Sequence, residues 1–284
     1  MRRVRRAAAA KVNLGLEVVG RRPGGYHELV TVMQTLELAD TVIVETAESI
    51  EGSTSMPELA AEDDLAVQAA RLWRAELKPQ AGARIHVDKH IAIAAGLGGG
   101  SSDAAAVLMA LDELWSTNGT HAQLQKAAST LGADVPFLLR GGTALGTSRG
   151  DKLHNLPAAP MRYVVLVRPH LRLATADVYA ELRPSEWSGG SQTRALAKAI
   201  ASGELPHGLM RNDLTKAAVR LVPAISNVLQ ALQIVGAKPA LLSGSGATCF
   251  GLFDDKDQAQ SAFQRLCLPK YWTQLSQFRR IDGI

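Results

Sequence analysis

Gly96-Leu97-Gly98-Gly99-Gly100-Ser101-Ser102 is the stretch on which the reading of this chain turns. Just upstream, Ile85, Val87 and Ile91 mark a strand. Just downstream, Ser102–Trp115 carries Ala104, Val107, Leu108, Leu111 and Leu114 at helical spacing and stops near Asn118-Gly119. Glycines let backbone N–H groups approach a ligand with no Cβ in the way, and they reach positive φ. Successive N–H groups in such a turn form a nest for an anion, and the positive end of the following helix points at the same spot. The hydroxyls of Ser101 and Ser102 add contacts suited to phosphate or, for Ser102, to Mg²⁺. The bland reading, a tight flexible turn, is less well served by three glycines and two serines at a helix start.

Two common phosphate loops are excluded. A Gly-x4-Gly-Lys-Ser/Thr loop needs a lysine that this stretch lacks. A Gly-x-Gly-x-x-Gly fingerprint counted from Gly96 ends on Ser101, and counted from Gly98 it ends on Asp103.

Working outward, Val12, Leu14, Leu16 and Val18 alternate with polar or small residues, the period of a half-buried strand. Gly20–Gly25 reads as a loop, and β-like pieces follow at Val30–Leu38 and Thr41–Glu45. Asp64–Leu77 and His121–Leu131 read as helices, Gly132–Pro136 as a loop, and Phe137–Thr147 as a return strand broken at Gly141-Gly142. Pro157–Pro160 reads as a linker. Beyond it come a strand at Tyr163–Val167 and helices at Thr175–Leu182, Gln192–Ala201, Asn212–Val219 and Ala224–Val235. Strands at Ala240–Ser243 and Thr248–Phe253 flank a second small-residue loop, Ser243-Gly244-Ser245-Gly246-Ala247. The mixture predicts two α/β or α+β domains, 1–155 and 156–284.

At 284 residues, 46% hydrophobic and 20% charged, the chain has material for two cores. Aromatics make up only 5%, which disfavours stacking platforms for nucleic acid. Part of the +4 net charge sits in Arg2, Arg3, Arg5 and Arg6, read as a solvated, partly frayed start. Cys249 and Cys267 form no CxxC pair, so neither a zinc site nor a disulfide framework is expected. No apolar run approaches the roughly 20 residues of a membrane helix, and Lys11, Asn13 and Glu17 interrupt the only signal-like stretch. A reduced, cytoplasmic protein is expected.

Three segments in order, Ala10-Lys11-Val12-Asn13-Leu14, Gly96–Ala105 and Leu242–Thr248, resemble the three motifs of the GHMP kinases. The resemblance spans nearly the whole chain. It implies an α+β architecture with an N-terminal mixed-sheet nucleotide domain, a C-terminal ferredoxin-like α/β domain and an active site in the cleft between them. It also implies an ATP-dependent small-molecule kinase using Mg²⁺. Arg22-Pro23-Gly24-Gly25-Tyr26-His27 and Gly132–Pro136 point to the branch that phosphorylates a cytidine diphosphate alcohol. The expected partner is therefore a small molecule, with no nucleic acid and no membrane, in a monomer or weak homodimer.

Through the resemblance, Asp134 takes the proton from the attacking hydroxyl, as an aspartate does in protein kinases, although a turn carboxylate is its ordinary role. Lys11 steadies charge, and Asn13, two residues along the strand, shares its face and reaches substrate. Tyr26 and His27 offer a π face and edge hydrogen bonds to a pyrimidine. Thr175 and Gly244 lie on the substrate side, Thr175 having helix capping as its plain alternative. Gly96–Ser102, Lys89 and Asp64 serve ATP. For Lys89 an exposed strand-end lysine is an almost equal reading, and Asp177, Asn212 and Asp213 read as helix-start residues. Nothing in spacing selects Asp103 or Glu17 for a metal.

Two departures stand out. Asp64-Leu65 replaces the family's Asn-Leu, removing a donor from a position tied to adenine or ribose. Ala92 replaces a proline before the glycine loop. The rival readings are another GHMP kinase with a mevalonate- or homoserine-like substrate, a catalytically silent nucleotide- or RNA-binding module, and a dinucleotide-dependent oxidoreductase already disfavoured by its failed fingerprint.

Overall fold

The computed structural model describes residues 2–56, 64–77 and 80–281. The outer ends of the two expected domains, at 1 and 284, lie outside the described residues. The chain divides into two compact units, and it enters each more than once. The first comprises Met1–Ala10, Leu38–Ile93 and Gly98–Gly141; the second comprises Lys11–Glu37, Ala94–Leu97 and Gly142–Ile284.

Two long strands, β1 (Arg3–Arg21) and β2 (His27–Ala47), pair with each other and contribute to both units. In the first unit, the Thr41–Ala47 half of β2 pairs antiparallel with β4 (Gly82–Asp88), and β4 pairs parallel with β3 (Ile50–Thr54). The sheet is therefore mixed. Against it lie α1 (Leu65–Leu77) and α2 (Gly99–Trp115), joined by α3 (His121–Leu131) and α4 (Val135–Arg140). α2 packs on α1, α3 and α4, and Trp73, Leu108, Leu111 and Phe137 are fully buried among them.

The expected gap between Val30–Leu38 and Thr41–Glu45 does not exist. Asp40, which breaks the apolar pattern, is itself buried, and its carboxylate accepts from the N–H groups of His90 and Ile91 at 2.5 and 2.7 Å. The N-terminal arginines are not frayed either. Arg3 lies within β1, Arg6 meets Glu113 at 2.6 Å and Arg2 donates to Ser116 at 2.8 Å. Phe137–Arg140 is helical, not strand. A short apolar run has no period to tell the two apart, and Pro136 in the first turn suits a helix start.

In the second unit, the Leu29–Gln34 half of β2 pairs with β5 (Thr143–Ser148), which pairs with β6 (Lys152–Leu156). A separate antiparallel sheet has the order β10-β7-β9-β8, formed by Tyr271–Gln277, Tyr163–Pro169, Cys249–Phe253 and Ala240–Leu242. The helices that share its core are α5 (Thr175–Glu181), α7 (Thr215–Leu221), α8 (Ala224–Ile234) and α9 (Lys256–Leu266), whereas α6 (Ser191–Ala201) packs on β5 and β6. Val165, Val167, Ile225, Val228, Leu232 and Phe253 belong to their common core. Among the described residues no helix is long and apolar enough to cross a membrane.

Candidate active site

The glycine loop falls where the chain passes from the second unit to the first, between Leu97 and Gly98. Gly98 takes the left-handed conformation (φ 72°, ψ 19°) as the cap of α2, and no side chain caps the helix. The first-turn N–H groups are thus left for a ligand, as an anion site requires. Its glycines have unlike reasons to be glycines. A Cβ on Gly96 would sit 2.1 Å from the Ser243 carbonyl oxygen, so this residue allows two backbones to touch. A Cβ on Gly99 would sit 3.2 Å from Ile91, whereas Gly100 has only Leu65 within reach, at 3.7 Å. The open face of the loop is therefore at Gly100. Leu97 is buried and its carbonyl accepts the Lys11 N–H at 2.9 Å.

At the same helix start, Ser102 is buried and its hydroxyl donates to the Ala9 carbonyl at 2.7 Å. Next to it, Asp103 shares the Lys89 ammonium with Asp40, each carboxylate at 2.5 Å. Lys89 is thus enclosed, its side chain only 5% exposed, and it is no exposed strand-end residue. Burial pushes the Asp103 carboxyl up, and the Asp40 and Asp64 charges add to this against the pull of Lys89, leaving it raised to about 7. Burial works to lower Lys89, but the two carboxylates outweigh it and hold the ammonium above its usual range. Among the described residues Asp103 Oδ1 has no hydrogen-bond partner.

Among the described residues no three His, Cys, Asp or Glu side chains converge as a metal cage. Mg²⁺ keeps several waters and is held through one or two protein oxygens plus substrate phosphates. The Ser102 hydroxyl and Asp103 Oδ1 are oxygens of that kind.

Asp64 precedes α1, and its carboxylate accepts the Ala66 N–H at 3.0 Å. Asp134 precedes α4 and its carboxylate does not cap that helix. The turn leading to it runs beside α2, for a Cβ on Gly132 would lie 4.0 Å from Ser101 Oγ.

In the second unit, β1 presents Lys11 and Asn13 on one face, both buried. Lys11 Nζ donates to Asn13 Oδ1 at 2.8 Å, Asn13 Nδ2 donates to Thr31 Oγ1 at 2.8 Å, and Thr31 donates to the Gly15 carbonyl at 2.8 Å. Gly244 closes on this pair: a Cβ there would lie 3.4 Å from Lys11 Nζ and 3.5 Å from Asn13 Oδ1. Thr175 does not cap α5, since Ala174 holds that position. Its hydroxyl instead shares a hydrogen bond with Ser245 at 2.8 Å.

Asn212 does more than start a helix. Its Nδ2 donates to the Leu242 and Gly244 carbonyls at 2.8 and 2.7 Å, while Oδ1 accepts the Leu214 N–H at 2.9 Å. It fixes the loop that faces Lys11, and no local signal announces contacts 30 residues away.

Tyr26 and His27 leave the turn in different directions. Tyr26 is 62% exposed, with the Arg149 guanidinium carbon 5.3 Å from its ring centre. His27 stacks on Tyr179 at 5.1 Å and meets Trp187 edge-on at 5.9 Å. Burial and the Arg21 charge push the imidazole below its usual range, so it is neutral at neutral pH. Tyr179, Trp187 and Arg149 went unremarked in the sequence because they come from separate elements. Glu17 is a structural cap: buried, it accepts the Thr193 N–H of α6 at 2.6 Å.

The model of the GHMP kinase N-terminal domain matches residues 64–142, and that of the C-terminal domain matches 195–270. The 4-diphosphocytidyl-2-C-methyl-D-erythritol kinase of Pelotomaculum thermopropionicum is 40% identical over 266 residues, covering 91% of this chain and 92% of that one. Its counterpart in Gloeobacter violaceus is 41% identical over 270 residues, covering 92% and 89%. A crystal structure of 4-(cytidine 5'-diphospho)-2C-methyl-D-erythritol kinase aligns with a TM-score of 0.84 at 37% identity, covering 98% of this chain and all of the other.

Proposed function

The chain belongs to the 4-diphosphocytidyl-2-C-methyl-D-erythritol kinase family of the GHMP kinases, and from that premise we propose that it transfers the γ-phosphoryl group of ATP to the 2-hydroxyl of that cytidyl alcohol. The products are the 2-phosphate and ADP, on the non-mevalonate route to isoprenoid precursors. The observation that carries the substrate choice is the exposed Tyr26 ring next in sequence to His27, whose imidazole packs on Tyr179 and Trp187. A pyrimidine needs a π face and edge partners. A mevalonate- or homoserine-like substrate needs neither.

The uncapped start of α2 and the open Gly100 receive the ATP phosphates. Ser102 would offer the protein oxygen to Mg²⁺, which when bound would neutralise phosphate charge. Lys89 acts at this site through Asp103 and Asp40, keeping the helix start in place, and Asp64 keeps α1 in register. Asp134 accepts the proton of the 2-hydroxyl and Lys11 offsets the developing negative charge. Asn13, Thr175 and Gly244 contact the alcohol portion. Transfer is direct, so alignment and fixed charge supply the acceleration. We place the boundary between the family domains at 155/156, between the two stretches that the family models match. We also place the enzyme in the cytoplasm as a monomer or weak homodimer with no nucleic-acid partner.

The test is ATP consumption with the cytidyl alcohol, and with mevalonate and homoserine as controls. Turnover of the first alone is expected. Preference for either control overturns the substrate assignment.

A further inference from the structure

The turn between β5 and β6, Ser148-Arg149-Gly150-Asp151, has no role in the reading above, yet it is tied twice to the segment that bears Tyr26. The Arg22 guanidinium donates to Ser148 Oγ and pairs with Glu28 at 3.5 Å. Arg149 covers the Tyr26 ring at 5.3 Å. Arg149 is itself held by Asp151, along one edge of its guanidinium and at its backbone. Its Nε and Nη2 donate to Asp151 Oδ2 at 3.1 and 2.8 Å, and its backbone N–H donates to Asp151 Oδ1 at 3.2 Å.

Tyr26 sits after Gly24 and Gly25, both at positive φ, in a turn closed by Arg22 N–H to Tyr26 O at 2.7 Å. Such a segment gives an exposed ring little packing of its own. With Arg149 over the ring, the residue is still 62% exposed, which leaves much of its surface open to solvent.

We propose that Arg149, braced by Asp151, is a positioning residue for substrate specificity: it fixes the Tyr26 ring from one face so that the opposite face is pre-set for the pyrimidine of a cytidine diphosphate. A guanidinium attracts the ring through its quadrupole, and the attraction strengthens when a base displaces water from the other side. Holding the ring beforehand removes the rotamer entropy that binding otherwise costs. Two N–H groups of one guanidinium edge converge on Asp151 Oδ2 and fix the plane of the group, which a lysine ammonium cannot reproduce. This inference rests on the cytidyl reading.

The experiment compares wild type, Arg149→Ala, Arg149→Lys, Tyr26→Ala and the Tyr26→Ala/Arg149→Ala double variant. It uses steady-state kinetics with the cytidyl alcohol, calorimetric titration with CDP alone, and thermal unfolding of each variant. Arg149→Ala is expected to raise KM for the cytidyl alcohol and Kd for CDP about tenfold, with kcat, KM for ATP and the unfolding midpoint unchanged. Arg149→Lys should recover part of the loss, and Arg149→Ala should add nothing once Tyr26 is removed. Unchanged CDP affinity in Arg149→Ala, or losses that multiply in the double variant, overturns the positioning role while leaving the substrate intact. A wild type that neither turns over the alcohol nor binds CDP overturns the substrate reading and this inference together.

Discussion

Lys11 Nζ and Asn13 Oδ1 are joined at 2.8 Å along one face of β1, with both side chains buried and Gly244 folded against them. A buried ammonium aimed by an amide is a pre-organised charge. Groups of this kind are worth about 10²–10³ in kcat when removed. Lys11→Met keeps the length and loses the charge, so kcat should fall about 10²-fold while KM for the cytidyl alcohol changes little. Steady-state kinetics decide it, and a loss confined to KM counts against a role in the transition state.

Asp134 sits at the head of α4 without capping it, so an amide there should leave the helix intact. Asp134→Asn is expected to lose at least about 10²-fold in kcat, on the scale of general-base catalysis. ATP affinity, followed by equilibrium titration, should stay as in wild type. Near-normal turnover removes Asp134 from the proton step.

Gly96→Ala should destabilise the second unit. The new Cβ would lie 2.1 Å from the Ser243 carbonyl oxygen, on a residue with φ of 76°. The left-handed backbone alone costs about 1–2 kcal/mol for a non-glycine residue, and relief of the clash must move backbone. A fall in the unfolding midpoint of about 4 °C or more is expected. Gly100→Ala, with only Leu65 at 3.7 Å, should unfold close to wild type but weaken ATP binding, since its methyl enters the open face of the loop. Calorimetry and nucleotide titration separate the two effects.

His27 supplies a pH signature. Its folded-state pKa is lowered from 6.5, so as pH falls through 6.5 the unfolded chain takes up the proton first and the stability contributed by this site declines. Above 6.5 the imidazole is neutral in both states and contributes no pH dependence. In the folded enzyme, KM for the cytidyl alcohol should be flat from about pH 8 down to 6.5 and rise on the acid side of it. His27→Phe keeps a ring against Tyr179 and should abolish that rise. A rise that persists in His27→Phe assigns it to another group.

Local chemistry was legible where a period or a turn residue carried it. The helices beginning near Leu65, Gly99, His121, Thr175 and Ser191 follow from 3.6-residue spacing and small-residue starts. The strands Ile50–Thr54 and Lys152–Leu156 went unread because their burial is broken and partial, and α9 (Lys256–Leu266) because its exposed charges mask its stripe. At the site, Lys11 and Asn13 share a strand, and the glycine loop is contiguous. Lys89 with Asp40 and Asp103, and Asn212 with Leu242 and Gly244, join residues far apart in sequence, so only the folded chain reveals them. Losing Asn212 would strand two carbonyls, at about 1–3 kcal/mol each when buried; nothing in its neighbours hints at that.

The chain changes unit after Ala10, Glu37, Ile93, Leu97 and Gly141. This interleaving bears on inheritance as well as on folding. One recombination event between genes of two relatives cannot swap either unit whole, because each is written in several non-adjacent passages. Lys11 and Gly244, which meet in the fold, are encoded more than two hundred codons apart. Chimeras of this family made by a single splice inside residues 11–244 should draw the two sides of that contact from different parents.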